Sequence, residues 1–459
     1  MTIRWVNRLC LLCLMPVLPV VWNTTQAQSF RLMRYDDAIV KSDSVRSFYR
    51  DLKYLPLNRS HSVYLSAGGE IRYEYSSMVN QDWQSDGEGR NHSFFQRYVF
   101  FTNLQLGSRV RVFAQVNSAL EDGNKMGPAP VDEDKLVIEN LFIDIGIDKK
   151  KSLTARIGRQ ELDYGTGRLI SVREGTNVRL YFTGAKLIYT KGNWQVDGFA
   201  MMADSVYPGV LDNKSTHQLN LWGLYSRVAI PRSGNIDLYY LGIKRENARF
   251  EEGIKDEKRH TLAVRYWKYG GGFIYNAEAA WQFGKFGDGN INAWTFALEM
   301  GYLFDKLRWK PSVNLRNDYI SGDRKKGDGN LQTFNPIYPK GGYFGFNPRV
   351  GPVNLIDLHP YCTLSPTSKL EIQGDVVFNW RMSAEDGVYR PSGTLNLKGA
   401  GVSKKYIGTA YLLSGSYQVN KHLSFSCGAQ FFKTGGFVKE VIYPSANSGF
   451  FNAQATFKF

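Results

Sequence analysis

The feature that most limits what this chain can fold into is an alternation of period two that returns along most of its length. It is clearest from Lys369 to Arg381. There Leu370, Ile372, Val376, Phe378 and Trp380 alternate with Glu371, Gln373, Asp375, Asn379 and Arg381. Successive side chains of a β-strand point to opposite faces, so such a segment carries one apolar and one polar face. Val63 to Tyr75 repeats the pattern, with Val63, Leu65, Ala67, Ile71, Tyr73 and Tyr75 against Ser66, Glu70, Arg72 and Glu74. So does Phe94 to Gly107, with Tyr98, Phe100, Leu104 and Leu106 against Arg97, Asn103 and Gln105. From Arg109 to Asn117, Val110, Val112, Ala114 and Val116 alternate with Arg111, Gln115 and Asn117. About eighteen such segments can be counted, at the roughly ten-residue span of a membrane strand. They begin near residues 63, 94, 109, 136, 152, 179, 194, 218, 236, 259, 272, 291, 310, 352, 368, 404, 421 and 447.

The connections have a rhythm of their own. Gly107-Ser108, Asp148 to Lys151, Lys191 to Asn193, Pro231 to Asn235, Gly270 to Gly272, Pro366 to Ser368 and Asn420 to His422 are short. The longest connection runs from about Gly322 to Gly351. Short turns on one side and long loops on the other are the wiring of an outer-membrane barrel, and an even strand number leaves both chain ends periplasmic. A propeller would repeat a blade motif at a fixed period, and the sequence has none. The chain ends on a strand of the same kind: Phe451, Ala453, Ala455, Phe457 and Phe459 alternate with Asn452, Gln454, Thr456 and Lys458. A terminal aromatic closing an alternating strand resembles the signal by which outer-membrane proteins reach their insertion machinery. The expected fold is all-β, a single transmembrane antiparallel barrel of about eighteen strands.

Composition supports this and removes competitors. Mean hydropathy is negative, so the chain is no bundle of membrane helices. Tyr and Phe number 27 and 28, as suits a barrel in which only alternate residues meet lipid. The N-terminus reads as a secretory leader that is cleaved. Arg4 and Arg8 precede the apolar run Leu9 to Val21, and Thr25-Gln26-Ala27 offers a small-residue site with cutting after Ala27. The expected divisions are 1–27 as signal peptide, 28–61 as a periplasmic lead-in and 62–459 as the barrel. Cys362 and Cys427 are the cysteines that remain, too few for a disulfide framework or a zinc site. Net charge is +15, yet no nucleic-acid module accompanies it, so nucleic acid is not an expected partner.

Charge concentrates in one stretch. From Ala155 to Leu187 the sequence is ARIGRQELDYGTGRLISVREGTNVRLYFTGAKL, with Arg156, Arg159, Arg168, Arg173 and Arg179 among Glu161, Asp163 and Glu174. Its run GRQELDYGTGRL…REGTNVR…FTGAKL resembles the Arg-rich segment of the alginate-export family of outer-membrane β-barrels. LKYLPL followed by YLSAGGEIRYEY resembles the approach to that family's first strand. LQTFNPIYPKGGYFGFNP, Leu331 to Pro348, resembles one of its loops, with Lys340 and Arg349 at its edge. The resemblance implies a pore lined by basic residues that passes an anionic polysaccharide.

Parity then sorts the charges. An Arg on the lipid face costs roughly 2–4 kcal/mol at the bilayer midplane. Mid-strand charges should therefore point inward, among them Glu70, Arg72, Arg97, Arg111, Asp144, Arg156, Arg265, Glu299, Arg316, Asp318, Glu371 and Asp375. The candidate pore-lining residues are Arg72, Arg97, Arg111, Arg156, Arg159, Arg168, Arg173, Arg179, Arg265 and Arg316. Arg159 is awkward, because it shares parity with Leu153, Ala155 and Ile157. Either Gly158 marks a bulge that re-aims it, or it sits at the outer rim. A second reading of the charges stays open, in which they only neutralise one another and hold loops folded into the lumen.

Catalysis is not expected. His61, His92, His217, His260, His359 and His422 form no nucleophile motif and no His-x-x-x-His pair. Asp288-Gly289 and Asp328-Gly329 are ordinary turn pairs, and no cofactor or metal is implied. Export of an anionic polysaccharide, uptake of small anions or oligosaccharides, and a plugged barrel whose loops bind surface partners remain the function classes. Expected partners are that solute, outer-membrane lipid and the insertion machinery, with the protein a monomer.

Overall fold

The computed structural model describes residues 30–37, 48–85, 89–148, 150, 152–346 and 349–459. The alternating segments form eighteen strands closed into one antiparallel barrel. They are β1 (Val63–Val79), β2 (Arg90–Leu106), β3 (Val110–Asp122), β4 (Asp134–Gly146), β5 (Leu153–Gln160), β6 (Phe182–Lys191), β7 (Trp194–Ser205), β8 (Lys214–Ile230) and β9 (Gly234–Phe250). The circuit continues with β10 (Gly253–Gly270), β11 (Phe273–Phe286), β12 (Gly289–Leu303), β13 (Ser312–Ile320), β14 (Leu355–Thr367), β15 (Leu370–Arg381), β16 (Tyr406–Gln418), β17 (Leu423–Thr434) and β18 (Ser448–Lys458). Each strand pairs with its neighbours in sequence. β18 returns to β1, from Glu70 opposite Lys458 to Val79 opposite Gly449. The largest departure from the expected strand starts is at β10, which begins at Gly253 rather than near 259.

The short connections fall at the end that holds both termini. Residues 304–311 join β12 to β13 there, a turn that the pattern alone had not marked. The other end carries the long loops, chiefly 161–181, 321–354 and 382–405. The rhythm breaks twice: residues 251–252 and 287–288, at that same end, are also two-residue turns. The long loop compensates, since Gly327 and Gly329 donate their N–H groups to the Glu252 carboxylate at 2.6 and 2.7 Å.

The wall is inverted relative to a soluble protein. Tyr73, Phe100, Leu141, Ile157, Leu187, Leu262, Trp281, Phe296, Leu413 and Phe431 are exposed on the outside. Arg97, Arg259, Asp237 and Asp318, on alternate positions of their strands, are fully buried inside. That is the arrangement lipid demands: apolar side chains meet hydrocarbon, and every strand finds its backbone partners within the closed sheet. Among the described residues no helix is long and apolar enough to cross a membrane.

The leader falls outside the described residues. Residues 30–37 of the lead-in enter the lumen. Tyr35 is buried against Phe113 and Phe142, at ring distances of 5.7 and 5.2 Å. After the short helix α1 (Phe48–Lys53), Leu55 and Pro56 add a brief rung to β1.

Candidate pore constriction

Two loops narrow the lumen, and their backbones meet. In 161–181 and 321–354, Ser171 donates its N–H to Tyr338 O at 2.9 Å, Tyr338 donates to Leu169 O at 2.8 Å, and Lys340 donates to Gly167 O at 2.7 Å. Leu169, Ile170, Phe334, Ile337 and Tyr338 are buried where they join. Tyr164 anchors the first loop by stacking on Tyr225 at 4.5 Å and donating to Asp197 at 3.0 Å. Asp386, on the third long loop, anchors the second: it accepts from the Thr333 hydroxyl at 2.6 Å and from Asp323 N–H at 2.9 Å.

The candidate arginines separate into distinct groups. On the wall of β1 and β2, Arg97 bonds Glu70 and Glu174, each at 2.6 Å, and Glu70 also pairs with Arg34 of the lead-in. Arg72 donates to the backbone carbonyls of Glu174 and Thr176, both at 2.9 Å. Arg179 pairs with Glu161 at 2.7 Å and Glu174 at 3.1 Å. Burial opposes ionisation of Glu174, but Arg97 and Arg179 outweigh it and hold the carboxyl well below its ordinary range. Arg111 and Arg156 share Asp144, at 2.5 and 2.7 Å. Arg156 lies between the rings of Tyr35 and Phe142, at 4.3 and 4.0 Å.

On the far wall, Arg265 pairs with Asp237 at 2.9 Å and Arg316 with Glu299 at 2.7 Å. Arg168 reaches from its loop to Asp318 on β13 and lies 3.9 Å from Glu278 on β11. It ties the loop to the opposite side of the barrel.

Arg159 departs from the pore-lining expectation. The pairing of β5 with β4 runs without a shift from Gly146–Thr154 to Leu141–Arg159, so no bulge re-aims it. It stays on the outward face, one residue from the loop end of β5, and pairs with Asp204 at 2.8 Å beneath Tyr181. The rim alternative is the one realised. Gly158 has another use: its φ is +131°, and a Cβ there would run into the Leu141 carbonyl. Nor do Arg168, Arg173 and Arg179 converge on one ring. The loop does dip inward, but it distributes them to three surroundings.

Arg173 is the exception among them. Among the described residues its guanidinium has no carboxylate partner, and its nearest aromatic contact is the Tyr338 ring at 5.8 Å. Burial lowers its pKa from the ordinary arginine value, with Tyr338 acting the other way. Its backbone is left-handed, φ +55°, and its own N–H is held by the Ser171 hydroxyl at 3.1 Å. Lys340, two residues from Tyr338, is exposed to the lumen. It borders a cavity of about 410 Å³ shared with Arg316, Glu299, His359 and Asp375. In that cavity Arg316 is matched by Glu299 and His359 faces Asp375 at 2.8 Å, while Lys340 forms no ion pair among the described residues, although the Asp163 carboxyl feels its charge.

Several contributors have no sequence signal. Arg34 and Tyr35 lie in a segment without periodicity. Arg381, which parity does turn inward, gives its two terminal nitrogens to loop carbonyls no pattern foretells, including Ala384 and Asp386 at 2.9 Å. Parity marks a side chain as inward but not which loop will come down to meet it.

A closed barrel with polar interior, apolar belt and in-folded loops is the structure of an outer-membrane channel, and solved channels share it. The chain superimposes on OccAB1 of Acinetobacter baumannii with a TM-score of 0.60, at 11% identity over 90% of this chain and 100% of that one. A BenF-like porin from Pseudomonas fluorescens Pf-5 gives 0.58, at 8% identity over 86% and 98%. Pseudomonas aeruginosa OccK2 (OpdF), solved in complex with glucuronate, gives 0.55, at 9% identity over 86% and 96%. Comparison with curated protein sequences returns no match. Residues 63–450 match the alginate export family, and the chain belongs to it.

Proposed function

We propose that this channel exports an anionic polysaccharide, a uronate chain of the alginate kind, and that Arg173 and Lys340 are the cations it meets where the loops join. The observation that carries the reading is that neither forms an ion pair among the described residues. Arg97, Arg111, Arg156, Arg168, Arg179, Arg265 and Arg316 all have carboxylates within ion-pair reach. Arg173 and Lys340 have none among the described residues, and both stand on the loops that narrow the lumen. A fixed charge at a constriction governs the ions that pass it, because screening in 0.15 M salt extends over about 8 Å. Membership of the alginate export family supports the solute and the direction. The uronate bound to OccK2, a protein of the same fold, is consistent with that solute class.

Reversal potentials across planar bilayers under a salt gradient test the proposal. The native channel is expected to prefer anions, and Arg173→Glu with Lys340→Glu to weaken or reverse that preference. Gln at both sites is the milder step. Arg159→Gln, on the outer face, should leave selectivity unchanged. Cation preference in the native protein, or unaltered selectivity in the double Glu variant, would overturn the assignment.

A further inference from the structure

Polar residues return to the outward face near the loop end of β8 to β12, and three of them are lysines in direct register. Lys244 on β9 lies opposite Lys258 on β10, and Lys258 opposite Lys285 on β11. Asn220 on β8 and Asn290 on β12 extend the row on either side. All three lysines are exposed. Lys285 Nζ donates to Asn290 Oδ1 at 2.9 Å, and none of the three forms an ion pair among the described residues. Glu257, next to Lys258, points inward and pairs with Arg245 and Arg259; the exposed acids Glu246 and Asp256 lie closer to the strand ends, where Asp256 accepts the Asn247 N–H at 3.1 Å.

Directly opposed residues on neighbouring strands bring their Cβ atoms to about 5 Å, and like charges so placed destabilise the sheet. Three ammonium groups in one row therefore call for an anion. What lies below them says which kind. One step toward the membrane, about 7 Å away, the same strands present Trp222, His260 and Phe283, and one step further Tyr240, Trp281 and Trp294. Trp222 lies across Gly242, where a Cβ would collide with its indole, and donates to the Tyr240 hydroxyl at 3.2 Å. Tyr240 in turn bonds His260 Nδ1 at 2.7 Å. These amphipathic rings form the belt that sits at headgroup level. The lysines stand just outside the belt and remain exposed, although residues 327–331 pack against Glu252 and Asn290 at the turns beyond them.

We infer that Lys244, Lys258 and Lys285 form a binding site for a phosphate-bearing lipid headgroup of the outer leaflet. The acyl chains would run down over the aromatic belt and the apolar wall of Leu224, Leu262 and Phe296, exposed or half-exposed on the outside. The site is independent of what the pore carries.

The test is native mass spectrometry of the full-length protein in non-ionic detergent, titrated with lipid A, a diphosphorylated disaccharide lipid, and with its dephosphorylated form. The native protein should bind the phosphorylated lipid and discriminate against the other. Each lysine near a charged surface contributes roughly fivefold, so K244Q/K258Q/K285Q should bind about a hundredfold more weakly. The corresponding triple Arg variant should retain binding. Single-channel conductance at the native value shows that the variants are folded. Equal binding of both lipids by the native protein, or undiminished binding by the folded Gln variant, would overturn the site. If the Gln variant does not fold, the comparison of the two lipids on the native protein decides alone.

Discussion

Arg97 has no solvent exposure, and its guanidinium holds Glu70 and Glu174 together with the carbonyls of Glu174 and Thr176. Removing one partner of a buried charge network costs about 3–5 kcal/mol, because the other charges stay buried. Arg97→Ala is expected to lower the urea midpoint of unfolding, by an amount that corresponds to a free-energy loss of that order. Arg97→Lys keeps the charge but loses the planar fork and should fall between, since lysine cannot match that bidentate geometry. Coincident midpoints for all three proteins would show that the network is not structural. At this scale the sequence was readable up to the Cβ. Strand parity turns Arg97 inward from its neighbours Tyr98 and Phe100, and it kept Arg159 outward with Ile157. It could not indicate Glu174, because a loop residue has no parity. Hence the arginines looked like a cationic lining, when most are one half of a pair.

The strands were legible because lipid enforces their pattern: within the hydrocarbon layer outward positions must be apolar and inward ones are free to be polar. The loops were not, since their conformation depends on what they meet. Leu331 to Pro348 showed length and a run of Gly, Pro and aromatic residues, but nothing in it names Asp386 or Leu169 as its contacts. Those contacts make the element sensitive to pH. Burial, with Asp386 adding to it, pushes the Asp323 carboxyl up from 3.8 to about 6, although the Lys325 N–H bonded to it acts the other way. A group that binds its proton more tightly when folded loses stability as that proton leaves. The packing of 321–354 should be firmest below about pH 4, weaken as pH rises through about 6, and change little above. Hydrogen exchange of residues 331–338, corrected for the intrinsic rate, measures this. Asp323→Asn should flatten the dependence. An exchange profile that tightens with rising pH would contradict it.

At the scale of the whole molecule, the seam that closes the barrel runs on to Phe459. Phe459 exchanges backbone hydrogen bonds with Gly69 at 2.9 and 3.0 Å, and its carbonyl oxygen also accepts from Lys53 Nζ at 2.8 Å. Deleting it should reduce the fraction of folded barrel in membranes, seen as loss of the heat-modifiable band. Phe459→Ala keeps the backbone bonds, so a defect in both variants assigns the effect to the ring and a defect only in the deletion assigns it to the seam. Full assembly of both would leave the terminal residue without a role in closure. The far end of the chain carries a consequence for chronology. Residues 30–37 dock on Glu70 of β1, Arg111 of β3, Phe142 of β4, Arg156 of β5 and Arg179 of the loop that follows. No part of that berth exists until those strands have paired. The residues synthesised among the first are thus among the last to settle, and an N-terminal epitope that disappears from view would act as a clock for the completion of the barrel.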